Sequence, residues 1–500
     1  MADAVARLRT RLGELADLGD ATHLLEWDQQ TMMPARGATG RAEALATLRR
    51  MSHERFTSEE TGRLLDEAQA AIDGTPFESD AVSMVRVARR RFEKARRVPS
   101  ELAAEQARAS SLGQKAWIEA RANSDFAAFR PYLERNLELA RRYVACFDDF
   151  ECSYDVLLDD YEPGMRTATV TCLFAELKSE LVRLIAKLAD HPERADDSCL
   201  HGHFPIESQH RLASRVVELM GFDPTAWRMD TAVHPFAMSF GAQDVRITTR
   251  WDESYLPTGL FGAMHECGHG LYEAGIAASL QRTPLGHAES LGLHESQSRL
   301  WENMVGRGRP FANVLAPLIV EQFGRSLEPE TLYCAVNRVQ PSFIRVEADE
   351  ATYSLHIVLR FELEQELIEG RLAVEDLPEA WNARFKAYLG LDVPDDAHGV
   401  LQDVHWSMGS IGYFPTYALG NLIAGQLWER VNTDLSDLEA RLAAGDLAPL
   451  RDWLREHVHR HGSKFSMPEL LDRAVGGPIS VGPFIGYLKR KLSGVYGVSL

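Results

Sequence analysis

The sequence predicts a mostly α-helical protein with a small β element, built as one large unit or as two lobes around a cleft. Helical periodicity dominates the chain, strand-like alternation is nearly confined to one run, and no linker interrupts the 500 residues. From Leu173 to Ala189, residues Leu173, Leu177, Leu181, Leu184, Ile185 and Leu188 recur at helical spacing, with Glu176, Glu180, Arg183 and Lys187 opposite. That helix is expected to stop near His191-Pro192, because proline cannot continue it. A second helix is expected over Leu355–Glu369, ended by Gly370 as a C-terminal cap. The strand candidate is Asp244-Val245-Arg246-Ile247-Thr248-Thr249-Arg250-Trp251, which alternates polar and apolar residues and is rich in β-branched side chains. No fixed-period repeat, low-complexity segment or proline-rich linker divides the chain, so residues 1–500 are read as a single unit, though chains of this length often form lobes.

Composition narrows the function classes. The net charge of −19 argues against a nucleic-acid or anionic-membrane partner. No run of about 18 apolar residues suggests a membrane span. The first residues, from Met1 to Arg9, lead into an amphipathic helical pattern without a signal-peptide core, so a cytoplasmic protein is expected. The six cysteines, Cys146, Cys152, Cys172, Cys199, Cys267 and Cys334, are scattered and form no Cys-x-x-Cys pair, so reduced and mostly buried thiols are expected.

The chemistry concentrates in His265-Glu266-Cys267-Gly268-His269. A helix advances about 100° per residue, so His265 and His269 share a face and both imidazoles reach one metal ion. Glu266 lies beside that face, placed to hold an attacking water as general base. Gly268 leaves room beside the site, and Cys267 points away as a buried apolar residue. The flanking Thr258–Met264 and Gly270–Tyr272 segments are apolar enough for a buried helix. Two histidines and a glutamate there need partners.

A peptidase metal site needs a third protein ligand and an open position. Glu295, in His294-Glu295-Ser296-Gln297, is the candidate, brought back by a turn around Thr283–Gly286 and a return helix. Many related sites carry an aspartate four residues after the third ligand, where it orients a histidine. Arg299 stands there instead, so the partners orienting the histidines are not evident. Histidine and carboxylate donors suit one divalent ion per chain, zinc first, with cobalt or manganese as alternatives.

Beyond these residues, the chain resembles the carboxypeptidase Taq family of metallocarboxypeptidases. Leu25–Pro34 resembles the family's N-terminal signature. His234-Pro235-Phe236 matches its His-Pro-Phe motif, and Asp244–Thr248 matches Asp-x-Arg-x-Thr. His294–Gln297 matches the segment of the third ligand, Ile344–Asp349 matches Ile-Arg-x-x-Ala-Asp, and Gly399–Trp406 matches Gly-x-x-Gln-Asp-x-His-Trp. The motifs occur in family order over nearly the whole chain. The resemblance implies a saddle-like helical fold with a deep groove, similar to neurolysin and angiotensin-converting enzyme. It also implies a homodimer, short-peptide substrates and release of single C-terminal residues.

In that setting, His405 and either Tyr413 or Tyr417 are candidates to stabilise the oxyanion, as in related folds that place a histidine and a tyrosine downstream. Recognition of a free carboxylate suits a fixed guanidinium, for which Arg345 is the first candidate and Arg246 the second. The competing readings are structural ion pairs of Arg345 with Asp349 and of Arg246 with Asp244. The strand around Val245 is a candidate edge for the peptide backbone, and His234 is expected to line or brace the groove. Three competing functions share parts of this pattern: an oligopeptidase cutting internally or releasing dipeptides, an inactive peptide-binding scaffold, and a purely structural zinc site. Retention of Glu266 argues against the scaffold, and the lack of nearby cysteines other than Cys267 argues against the structural site. His457, His459 and His461 read as a partly exposed helix end. Arg86, Arg89, Arg90 and Arg91 read as a solvated or interface-forming helix face.

Overall fold

The computed structural model describes residues 2–191 and 195–500. It is mostly helical, with one three-stranded sheet among the described residues. The chain begins with a long N-terminal helix, Ala2–Thr31, followed by helices Ala38–Phe56, Glu59–Ala71, Asp80–Arg97, Ser100–Asn123 and Phe126–Val144. Further helices follow, and together they form a single connected apolar core. No helix among the described residues is long and apolar enough to cross a membrane.

Strands β1 (Trp227–Thr231), β2 (Ala237–Ser239) and β3 (Val245–Thr249) form a sheet of order β1-β3-β2. β3 pairs parallel to β1, with Ile247 opposite Met229, and antiparallel to β2, with Ile247 opposite Ala237. Val245, Ile247, Thr248 and Thr249 are buried, whereas Asp244, Arg250 and Trp251 fall outside the strand. β3 is therefore the central strand and has no free edge, which corrects the expectation that it receives a peptide backbone.

The helix expected over Leu173–Ala189 runs from Thr167 to Leu188. It starts earlier because Thr167 and Val170 extend the buried face. Pro192 lies outside the described residues. The second helix runs from Tyr353 to Ile368, and Gly370 takes the left-handed conformation (φ 70°).

Three surface readings change. All six cysteines are free, but only Cys267 is buried and Cys172 is exposed. His459 is buried: the helix Ala448–His457 ends first, and a 3-10 turn carries His459 inward to stack on Tyr272. The arginines of the Asp80–Arg97 helix are tethers. Arg89 pairs with Asp66, Arg90 and Arg91 with Glu289, and Arg86 donates to the Lys464 carbonyl.

Candidate metal centre

The metal helix, Pro257–Gly275, starts with proline in its first turn, where the missing N–H costs no hydrogen bond. Leu260, Phe261, Ala263, Met264, Cys267, Leu271 and Tyr272 bury it on several sides, leaving His265 and His269 part-exposed on one face. At Gly268 a Cβ would sit 2.7 Å from the Gln297 carbonyl oxygen and 2.8 Å from Ser298 Cα. The glycine thus admits the return helix, Leu291–Arg299, to close range. Gly420, on the helix Pro415–Asp434, does the same on the far side of Glu295. Ser290 caps the return helix by accepting the Leu293 N–H at 2.9 Å. Buried Glu162 accepts from the Ser290 hydroxyl and the Gly292 N–H.

His265, His269 and Glu295 are thereby brought together as a metal-ready group, the only such group found among the described residues. Glu295 Oε2 lies 3.5 Å from His265 Nε2 and 3.4 Å from His269 Nε2. With metal–ligand bonds of about 2.0–2.1 Å, tetrahedral ligands stand roughly 3.3–3.4 Å apart, so these spacings fit one divalent ion. Cys267 takes no part, and its burial pushes the thiol pKa up.

The partners that orient the ligands are now evident. Past Arg299 the return helix continues as a π-helical turn, Leu300–Gly306, which carries Glu302. Glu302 Oε2 lies 2.8 Å from His265 Nδ1, and Arg307 holds its other oxygen at 2.6 Å. Arg299 donates to Glu295 Oε1 at 2.6 Å, leaving Oε2 turned toward the histidines. The residue in place of the expected aspartate therefore orients the carboxylate ligand, and the acid acting on His265 lies three residues further on. His269 Nδ1 meets His294 Nδ1, and His294 Nε2 meets Glu273 Oε1 at 3.0 Å. Burial opposes ionisation of Glu295, but Arg299 and the two histidines hold its pKa below the usual carboxylate range. Burial pushes the Glu266 carboxyl up to about 7, against the pull of His265.

The loop before Pro415–Asp434 brings the downstream residues together. His405 Nε2 lies 3.4 Å from the Tyr417 hydroxyl, and the Tyr413 ring stands 5.1 Å from His405 and 5.4 Å from Tyr417. Burial and the charges of Arg345 and Arg360 pull the His405 pKa down to about 4, opposed by Asp403. The Tyr417 ring lies 4.9 Å from the Arg345 guanidinium.

Arg345 is 5% exposed and does not pair with Asp349, which accepts N–H bonds from Gln340, Ala351 and Thr352. Its Nη2 donates to Asp403 at 2.7 Å, its Nε bonds the same carboxylate, and its Nη1 donates to the Tyr353 hydroxyl at 3.0 Å. Arg360 Nε holds the other side of Asp403 at 2.8 Å.

Arg246 forms the expected two-bond pair with Asp244, at 2.9 Å each, between the rings of Trp27 and Phe240. This arrangement fixes the N-terminal helix to the sheet and favours the structural reading over a carboxylate clamp. His234 is exposed. Sequence reasoning missed Glu302, Glu273, Asp403 and the role of His294. Three of them left a signal: Glu302 lies seven residues after Glu295, Glu273 lies four residues after His269 on the metal helix, and Asp403 lies within the Gly399–Trp406 motif.

A helical fold enclosing a His-Glu-x-x-His helix and a carboxylate on the return helix defines a metallopeptidase. The profile of the family described as Carboxypeptidase Taq (M32) metallopeptidase matches residues 7–492, and the chain belongs to that family. It is 42% identical to thermostable carboxypeptidase 1 of Thermus thermophilus, with 97% of each chain covered. It is 37% identical to carboxypeptidase 1 of Bacillus subtilis, again over 97% of each. The crystal structure of an M32 carboxypeptidase from Deinococcus radiodurans matches with a TM-score of 0.95 and 40% identity, covering 99% of this chain and 100% of that one. A Pyrococcus furiosus carboxypeptidase structure matches with a TM-score of 0.94 and 35% identity, covering 98% of both. The protein is thus a metallocarboxypeptidase that acts on peptides with a divalent metal.

Proposed function

We propose that the chain acts as one catalytic unit, removing single C-terminal residues from short peptides with broad specificity, with zinc held by His265, His269 and Glu295. The observation that carries the exopeptidase reading is a charge imbalance beside the site. Arg345 and Arg360 share one carboxylate, Asp403, and the next buried acid, Glu364, is held by Tyr154, Trp406 and Gly412 with its carboxyl pushed up to about 7, which leaves an excess of positive charge among buried groups. A substrate carboxylate completes that balance.

His265, His269 and Glu295 would hold a divalent cation, which would polarise the scissile carbonyl and acidify water. Glu266 takes the proton of the attacking water and delivers it to the leaving amine. Burial raises its carboxyl toward neutrality, which favours uptake of that proton. Tyr417, whose hydroxyl is held protonated by burial, donates a hydrogen bond to the tetrahedral oxyanion. His405, neutral because its pKa is about 4, supports that oxyanion from Nε2. Tyr413 packs on both side chains and keeps Tyr417 turned into the site. Arg345 receives the terminal carboxylate, and His234 lines the groove opposite His405. The proposed homodimer rests on the resemblance. The proposed cytoplasmic setting agrees with six free thiols.

The test is mass spectrometry on one short peptide carrying either a free or an amidated C-terminus, digested by the zinc-loaded protein. Stepwise loss from the free form alone supports the reading. Internal cleavage of both forms overturns it in favour of an oligopeptidase.

A further inference from the structure

His294 has no place in the chemistry above, yet it touches a residue read as a metal ligand. His269 turns Nε2 toward Glu295, so its Nδ1 carries the proton and donates to His294 Nδ1. That leaves the His294 proton on Nε2, which donates to Glu273 Oε1 at 3.0 Å. Glu273 is itself fixed: its Oε2 meets His287 Nδ1 at 3.0 Å and the Ser239 hydroxyl at 3.1 Å. The His294 ring is also packed, with the Tyr272 ring 5.3 Å away, and Tyr272 in turn stacks on buried His459 at 5.0 Å. His459 Nε2 meets Gln297 Oε1 at 2.8 Å, which returns the chain of contacts to the return helix.

We infer that His294, anchored by Glu273, is the positioning residue that sets the ring orientation and tautomer of His269 for the metal. This rests on the reading of His269 as a ligand. The two histidines are then oriented by different means: His265 by the carboxylate of Glu302 directly, and His269 by a neutral imidazole with a carboxylate behind it. His294 immediately precedes Glu295, so the return helix supplies one ligand and orients another. A shift of that helix therefore disturbs two of the three ligands at once. A bare carboxylate partner makes a ligating imidazole more basic, whereas an intervening imidazole transmits less of that charge.

The test uses the full-length chain with His294→Ala, His294→Gln, Glu273→Ala and the double variant His294→Ala/Glu273→Ala. Zinc affinity is measured by competition with a chelator, and the visible absorption of the cobalt-substituted protein reports ligand geometry. His294→Ala is expected to weaken zinc binding about 10–100-fold and to shift the cobalt bands. His294→Gln is expected to restore most of both, because its amide can accept from His269 Nδ1–H and donate to Glu273. The double variant is expected to lose less than the product of the two single losses. Folded His294→Ala that binds zinc within about threefold of wild type, with unchanged cobalt bands, overturns the inference. If that variant does not fold, Glu273→Ala with unchanged affinity and bands overturns it equally. Failure of the underlying ligand reading shows separately, as a His269→Ala protein that holds zinc like wild type.

Discussion

Replacing Arg345 by methionine tests the carboxylate clamp most directly. The guanidinium has five N–H bonds, one on Nε and two on each terminal nitrogen. Nε and Nη2 engage Asp403, and Nη1 engages Tyr353, which leaves one N–H on each terminal nitrogen uncommitted. Two charge-assisted bonds to a substrate carboxylate, each contributing about 1.5–3 kcal/mol, total about 3–6 kcal/mol. At 1.36 kcal/mol per tenfold, kcat/KM on a free-carboxylate peptide is expected to fall roughly 10²- to 10⁴-fold. The rate on the amidated peptide, already low, is expected to change little. Removing one partner from a buried ion pair costs about 3–5 kcal/mol of stability. Here the cost is expected below that range, because Arg360 still holds Asp403. A thermal melt verifies that the protein remains folded. Arg345→Lys keeps the charge but not the fork, so it is expected to fall between wild type and Arg345→Met. Paired kinetics on free and amidated forms of one peptide provide the assay. Folded Arg345→Met that retains its preference for the free form within about threefold refutes the argument.

Gly268→Ala is expected to push the metal helix off the return helix, costing about 1–3 kcal/mol in a chemical melt and weakening zinc binding in a titration. Glu162 has its carboxyl pushed up to about 7 by burial, against the Ser290 and Gly292 bonds, so the folded protein holds a proton that the unfolded chain releases near 4.5. Its contribution is fully present below about pH 4.5 and is lost as pH rises through 7; over that interval unfolding free energy measured on metal-free protein should fall by about 3 kcal/mol more in wild type than in Glu162→Gln. Trp27→Ala removes a buried ring packed against Arg228 and Arg246; it should cost about 3–5 kcal/mol and expose the Ala2–Thr31 helix to limited proteolysis before the rest of the chain.

The features legible in the sequence are those set by local periodicity. The spacing of His265 and His269 follows from one helix, and a short turn returns Glu295 to it, so all three come together as read. The helices Thr167–Leu188 and Tyr353–Ile368 were legible for the same reason, with errors at their first turns, where tertiary burial decides the start. The inward path of His459 was not legible, because Val458 and Gly462 break the helical pattern and the partners, Tyr272 and Gln297, are far away in sequence.

The orientation of the ligands belongs to the illegible part, and the reason is instructive. A sequence rule that expects an acid four residues after the third ligand assumes an uninterrupted α-helix. This chain instead has Arg299 there and a π-helical turn immediately after it. The two departures act together. Arg299 neutralises one oxygen of Glu295 and also reaches Glu302 at 3.3 Å, while Arg307, at the end of the π-helical turn, takes the other oxygen of Glu302. Arg299 thus stands between two carboxylates, Glu295 and Glu302, and Glu302 between two guanidiniums, Arg299 and Arg307, so the buried charges alternate in sign. Glu302 is the link through which a change at His265 reaches Arg299 and Glu295. A Glu302→Gln variant is therefore expected to disturb Glu295 through Arg299 as well as His265. Chelator competition should show a larger loss of zinc affinity for Glu302→Gln than for His294→Gln. Equal or smaller loss would mean that Arg299 orients Glu295 independently of Glu302.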